Sequence, residues 1–405
     1  MRLLELWRSR RGFLACCLLF TLFYMSHGCY YPYISLYYQQ IGLDMGQIGV
    51  ITAIGPFLAM AMQTLWGRLA DRRGRKRVLC ATLLLSGLCL QLFFLNHSFA
   101  YTLLVAGLYV ACSTASQPLT DTIALDYCSA SGFRFAPIRL CGTIGFGVMP
   151  LLVGGLMASR ITNIFPLYGL FCLLAALACL AAPGSAPAVQ AKAARGAFGQ
   201  GVIGRMLRDP AVQFVLLLNF AVNLCMSTTS FLPVYASNMG VDTDLTGKLN
   251  TISAACEIPF FLLIDWVLRR VRREHAMLAT LLFTCLRMGL AYAAGLFPSC
   301  GFLLLGLSQT LHCVSYIMLY YCSAQFIHSH VEEGVRATAQ TLVAMIAQGF
   351  ARAVGSIAVG AVGDALGLQN AYLLLAVCVV LLSPPVFWLY RRAKAGTAPA
   401  QATKG

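Results

Sequence analysis

Charge is what this sequence has least of. Only 11% of its 405 residues are Asp, Glu, Lys or Arg, while 59% are hydrophobic; a soluble domain carries roughly a quarter charged residues. A water-soluble fold of this composition would have no polar coat, so the expected solvent is lipid. Acids are scarcer than bases, 14 against 29, which gives a net charge of +15. That excess does not point to nucleic acid. The bases sit in short clusters between apolar runs, the pattern of topogenic loops rather than of one basic face. Paired cysteine spacings are missing too. The 17 cysteines are scattered through apolar runs (Cys89, Cys112, Cys172, Cys179, Cys378) with no CxxC. They read as small apolar residues of a membrane interior, not as disulfides or zinc ligands.

Other absences narrow the function. The sequence has no Walker motif, no Ser/His/Asp order and no HExxH, so an ATP-driven pump and an enzyme are both excluded as expectations, and no cofactor is expected. His328 and His330 stand near Glu332 and Glu333 without further ligands, so no metal is expected. A cleavable signal peptide is also missing. The first apolar run, Phe13 to about Tyr38, is too long for an h-region and is expected to remain as the first span.

What is there is a series of twelve apolar runs, at about 13–38, 46–66, 78–95, 99–125, 137–158, 163–182, 211–237, 246–268, 276–296, 300–325, 338–361 and 368–390. A spanning helix needs about 20 apolar residues. Each must satisfy its own backbone in lipid, so helices are expected, and the all-round apolar character excludes a barrel of alternating strands. The fold class is therefore an all-α membrane protein of twelve helices. Lys and Arg cluster before span 1 (Arg2, Arg8, Arg10, Arg11), after span 2 (Arg68 to Arg77), after span 6 (Lys192, Arg195, Arg205, Arg208), after span 8 (Arg269, Arg270, Arg272, Arg273) and in the tail. The opposite loops hold only Arg160 and Lys248. The positive side is expected to be cytoplasmic, with both termini inside the cell membrane.

The longest connection, 183–209, opens with Pro183-Gly184-Ser185-Ala186-Pro187 and ends at Arg208-Asp209-Pro210. It reads as a cytoplasmic linker between a bundle at 1–182 and a second at 210–392, followed by a tail at 393–405. In each half the loop after the second span is the most basic, and an acid (Asp71, Asp265) precedes it. This symmetry predicts two halves related by duplication.

The loop Gly67-x-Leu69-Ala70-Asp71-Arg72-x-Gly74-Arg75-Lys76 resembles the signature loop of the major facilitator superfamily. Two glycines are expected to permit a tight turn. Asp71 is expected to cap a neighbouring helix or pair with a base, in a contact that locks one conformation and releases in another. Gly67, Asp71, Arg72, Gly74 and Arg75 are thus the candidate conformational motif. A narrower resemblance, to the lactose permease type and its phenylpropionate-transporter-like relatives, rests on further stretches. These are Tyr30-Tyr31-Pro32-Tyr33, Pro118-Leu119-Thr120-Asp121, Ile138-Arg139 through Gly145-Phe146, Leu311-His312 and Gly367 to Tyr372.

Ionisable groups within spans cost several kcal/mol unless paired or wet, and are functional candidates by default. Here they are Asp121, Asp126, Arg139, Glu257, Arg287, His312 and Arg352. Asp121 and Arg139, on adjacent spans, suit a hydroxylated or anionic solute: one accepts from hydroxyls, the other donates a rigid fork. The resemblance implies that this acid and arginine contact substrate, and that Phe146 stands where the lactose permease type has a stacking tryptophan. It implies that Arg287 and His312 share in binding, and that Glu257 with His312 carries coupling. Ser315 replaces the coupling glutamate of that type. Asp126 is expected to pair with a base of the turn after span 4, and Arg352 to find an acid, with Glu257 the nearest by type. The Gly-rich patches at 142–147 and 355–360 are expected to let helices approach closely.

These readings predict a monomeric secondary transporter in the bilayer that imports a sugar, nucleoside or aromatic acid with H+ by alternating access. Proton-coupled efflux and a receptor on the same scaffold are the alternatives. The span 5 sequence holds Gly145, Gly147 and Pro150 without the glycine–proline run of antiporters, which favours uptake.

Overall fold

The computed structural model describes residues 2–182, 204, 206–331 and 336–402. Among them, twelve helices are long and apolar enough to cross a membrane, and no strand occurs. In chain order they are span 1 (Arg10–Gln40), span 2 (Met45–Arg73), span 3 (Arg75–Phe94), span 4 (Phe99–Ser131), span 5 (Phe135–Ser159) and span 6 (Ile161–Ala181). Then follow span 7 (Pro210–Ser230), span 8 (Thr243–Arg270), span 9 (Arg273–Leu296), span 10 (Pro298–His330), span 11 (Thr338–Leu366) and span 12 (Leu368–Ala395). The expected linker lies outside the described residues up to its last few positions.

Sequence sets the ends of these helices. Asp44 accepts from the Gln47 backbone N–H at 2.6 Å, and the Gln47 side chain accepts from the Asp44 N–H at 3.3 Å, a reciprocal cap that opens span 2. Asp209 accepts from the Ala211 N–H at 2.9 Å, with Pro210 as the first helical residue of span 7. Leu95, Leu152, Leu262, Leu303 and Leu381 are all exposed. In water such a surface would drive aggregation, but against lipid tails it loses nothing.

The chain forms two compact units: Met1–Ala188 with Leu232–Ala254, and Val189–Phe231 with Ala255–Gly405. The expected second bundle, 210–392, therefore differs in one segment, since Leu232–Ala254 packs into the first unit. Hydrogen bonds tie it there. Thr251 donates to the Gly147 carbonyl at 2.9 Å, and Gln39 donates to the Asn238 amide oxygen at 2.8 Å. A Cβ on Gly154 would overlap Asp244, and one on Gly247 would overlap the Tyr33 hydroxyl. Leu232–Ala254 links the end of span 7 to the first half of span 8, and such a connection carries no sign of which unit it will join.

Within the first unit, span 1 packs on spans 5 and 6, and span 3 on span 6. Within the second, span 7 packs on spans 11 and 12, and span 9 on span 12. The pairings repeat at an offset of six spans, as a duplicated fold requires. Glycines make the closest of these contacts possible. A Cβ on Gly145 of span 5 would stand 2.6 Å from the Thr21 carbonyl oxygen of span 1, and one on Gly28 would stand 2.7 Å from that of Phe146. In the second unit a Cβ on Gly355 of span 11 would stand 2.5 Å from the Leu224 carbonyl oxygen of span 7. Only hydrogen fits at these positions, so backbones meet where larger residues would hold them apart.

Candidate functional site

The turn of the loop motif is built differently from its expectation. Gly74 alone makes the turn, at φ +91°, where a side chain would be strained. Its N–H donates to the Ala70 carbonyl at 2.9 Å. Gly67 lies inside span 2, and a Cβ there would meet open space. Asp71 and Arg72 are exposed. Arg75 forms an ion pair with Asp126, at the end of span 4. Asp126 thus pairs with the motif loop and not with the turn that follows it. Lys76 donates to the carbonyls of Leu180 at 3.0 Å and Ala182 at 2.5 Å, which caps span 6 with a cation at its negative end. The motif therefore joins spans 3, 4 and 6.

In the first unit, Arg139 enters span 5 one turn before Gly142. A Cβ on Gly142 would stand 2.6 Å from the Tyr24 ring. The missing side chain lets Tyr24 of span 1 slide beneath Arg139, whose guanidinium carbon sits 4.6 Å from the ring centroid. Asp121 interacts electrostatically with both Arg139 and Tyr24 without a direct ion pair. Three buried polar atoms here have no hydrogen-bond partner: the Tyr24 hydroxyl, Asp121 Oδ1 and Arg139 Nη1. Each such group costs about 1–3 kcal/mol. Phe146 is half-buried two turns further along the same helix. The cluster offers a carboxylate acceptor, a guanidinium donor and a hydroxyl that does both, and its two charges cancel.

In the second unit, Glu257 and His312 come together, with Oε1 3.6 Å from Nε2. His312 stacks on Tyr316, centroids 5.3 Å apart, and its Nδ1 is buried without a partner. The expected acid for Arg352 is not its partner. Its Nε donates to the Asn223 amide oxygen at 3.2 Å, and its guanidinium lies 5.3 Å from the Tyr316 ring. Arg287 is only 2% exposed, and among the described residues it forms no ion pair. It donates to the Gln309 amide oxygen and the Met226 sulfur, each at 3.3 Å, and its Nε has no partner. Arg287 and Arg352 both interact electrostatically with His312. π-helical turns at Cys313–Ile317 and Ala344–Ala351 directly follow His312 and precede Arg352; such turns frequently mark functional sites. Ser315 donates to the Leu311 carbonyl at 2.9 Å. Asn223 and Tyr316 also line a cavity of about 350 Å³ with Asn219, Ser323, Gln340 and Thr341.

The two units share a pattern that the sequence reading missed. Arg139-x-x-Gly142 on span 5 and Arg352-x-x-Gly355 on span 11 are counterparts. Each glycine admits a neighbouring helix, and each arginine rests on an aromatic ring. Tyr24, Tyr316, Asn223 and Gln309 were missed because uncharged residues in an apolar run give no signal by type. The arginine–glycine repeat was the signal that could have found the first two.

The sequence matches the model of the MFS_1 like family over residues 14–374. The maltose permease of Geobacillus stearothermophilus is 25% identical over 376 residues, covering 90% of this chain and 91% of its own. The Bacillus subtilis transporter YwbF is 24% identical over 363 residues, 87% of each chain. The solved nucleoside transporter NupG superposes with a TM-score of 0.81 at 20% identity, covering 93% of this chain and 98% of its own. A bacterial homologue of the human lysosomal transporter Spinster, inward-facing and unoccupied, gives 0.74 at 14% identity over 95% and 97%. These structural likenesses show the fold.

Proposed function

The chain belongs to the MFS_1 like family, whose relatives here are multi-pass membrane transporters, and on that premise we propose that it imports an uncharged, hydroxylated organic solute by H+ symport. One observation carries this reading. Asp121, Arg139 and Tyr24 present three buried polar atoms that lack partners, and a ligand with several hydroxyls supplies the missing bonds. Sugars and nucleosides fit this demand. Aromatic acids fit it less well, because the charges of Asp121 and Arg139 already cancel and a carboxylate would leave Asp121 facing a like charge.

The proton site is the Glu257–His312 pair. A carboxylate beside an imidazole holds one exchangeable proton, and gaining it changes the charge of the pair next to Arg287 and Arg352. That change biases alternating access of the two units. Ser315 has a hydroxyl that does not titrate near neutral pH, so coupling falls to Glu257 and His312. Both termini lie in the cytoplasm, where the basic loops are retained, and the protein works as a monomer in the cell membrane.

The test is uptake into proteoliposomes across a panel of sugars, nucleosides and aromatic acids, with and without an inward pH gradient. The expected outcome is accumulation of a hydroxylated solute that a protonophore abolishes. Uptake indifferent to the gradient would remove proton coupling from the proposal, and preference for a carboxylate solute would remove its substrate class.

A further inference from the structure

His27 lies one turn beyond Tyr24 on span 1, outside the Asp121–Arg139–Tyr24 cluster. Its Nδ1 is 2.9 Å from the Phe23 carbonyl oxygen. A carbonyl only accepts, so Nδ1 carries the proton, and Nε2 of the neutral ring is a free acceptor. The Ser26 hydroxyl, 3.2 Å from the same Nδ1, itself donates to the Phe23 carbonyl at 2.6 Å. Nε2 makes no hydrogen bond among the described residues. It is not among the buried atoms left without a partner, so it is open to a solute.

The ring is set in an aromatic collar. Its centroid lies 4.4 Å from Phe23, 5.3 Å from Tyr31, 5.9 Å from Tyr168 and 6.2 Å from Tyr24. Behind it Tyr30, Tyr109 and Tyr168 pack on one another and form a fixed wall. Tyr24, His27 and Tyr31 are spaced three and four residues apart, so they share one face of the helix. That face begins at Arg139, because the Tyr24 ring lies against its guanidinium. It ends at Tyr31, which is 52% exposed. Three rings and one unused acceptor thus continue directly from the hydroxyl-binding pair.

We propose that Tyr24, His27 and Tyr31 form a second subsite that receives a flat heterocycle bearing an N–H donor, with His27 Nε2 accepting from that donor. Together with Asp121 and Arg139, it selects a solute in which a hydroxylated ring is joined to a donor-bearing planar base: a nucleoside and not a free sugar. This rests on the reading of Asp121 and Arg139 as the hydroxyl site.

The experiment compares adenosine, its analogue lacking the exocyclic amino group (purine riboside), and ribose, by uptake into proteoliposomes of the full chain. Variants are His27→Phe, which keeps a ring without the acceptor, and His27→Gln, which keeps an acceptor. The wild type is expected to prefer adenosine over purine riboside by about 10-fold in KM, the discrimination of one good hydrogen bond. His27→Phe is expected to erase that preference by raising KM for adenosine alone at unchanged kcat, and His27→Gln to restore most of it. Equal KM values for the two nucleosides in the wild type overturn the proposal even if His27→Phe fails to fold. So does a preference that survives in His27→Phe. Transport of ribose but not of nucleosides overturns it while leaving the hydroxylated-solute reading intact. Transport of no hydroxylated solute overturns both.

Discussion

At the scale of single residues, the proposed function rests on a few polar atoms that the fold leaves unsatisfied. Arg139 is held on the face of Tyr24 and keeps a free Nη1. A lysine would preserve its charge but neither the planar fork nor the stacked geometry. Arg139→Lys is therefore expected to lower kcat/KM for the transported solute about 10-fold or more, the worth of roughly 1.4 kcal/mol. Asp121→Asn should lower it comparably, since an amide presents a donor where an acceptor is needed. Initial-rate uptake measures both, and near-normal kcat/KM in the two variants would falsify the binding role. The charged members of this cluster were legible in the sequence because a charge in an apolar run stands out. Their partners were not. Tyr24 precedes Arg139 by more than a hundred residues, and nothing local announces that the ring will lie beneath the guanidinium. Arg352 shows the opposite failure. An acid was the expected partner, and the fold satisfies it with an amide and a ring.

At the scale of elements, the glycines of span 5 divide by what faces them. Gly145 meets the Thr21 backbone, so an added methyl must displace a helix. Gly155, on the same helix, has nothing within 4 Å. Gly145→Ala is expected to destabilise the protein by about 1–3 kcal/mol through overpacking. Gly155→Ala should stabilise it by up to about 1 kcal/mol, as alanine replaces glycine in a helix. Thermal unfolding of the two variants in detergent measures the contrast, and a similar response from both would show that span 1 does not need this close approach. The element count was readable because lipid forces every span to be long, apolar and helical. Which spans touch was readable only where small residues cluster, as at Gly142 and Gly145. The docking of Leu232–Ala254 was not readable, because it depends on a single register of Gly247 on Tyr33 and of Thr251 on the Gly147 carbonyl.

At the scale of the whole molecule, orientation follows from where the bases lie. Arg73 belongs to the basic loop between spans 2 and 3, and Cys300 opens span 10 at the end opposite the bases of 269–273. Cys300 is the one exposed cysteine of the seventeen; the others are buried or half-buried. The native chain thus carries its own reporter. A membrane-impermeant maleimide is expected to label intact cells at Cys300, and Cys300→Ser should abolish that signal. Arg73→Cys placed in the Cys300→Ser background should label only after the membrane is permeabilised. The reverse pattern would place the positive loops outside and invert the topology. Labelling from the same side at both positions would break the alternation of spans between residues 73 and 300, and with it the six-span offset that makes Arg139 and Arg352 counterparts.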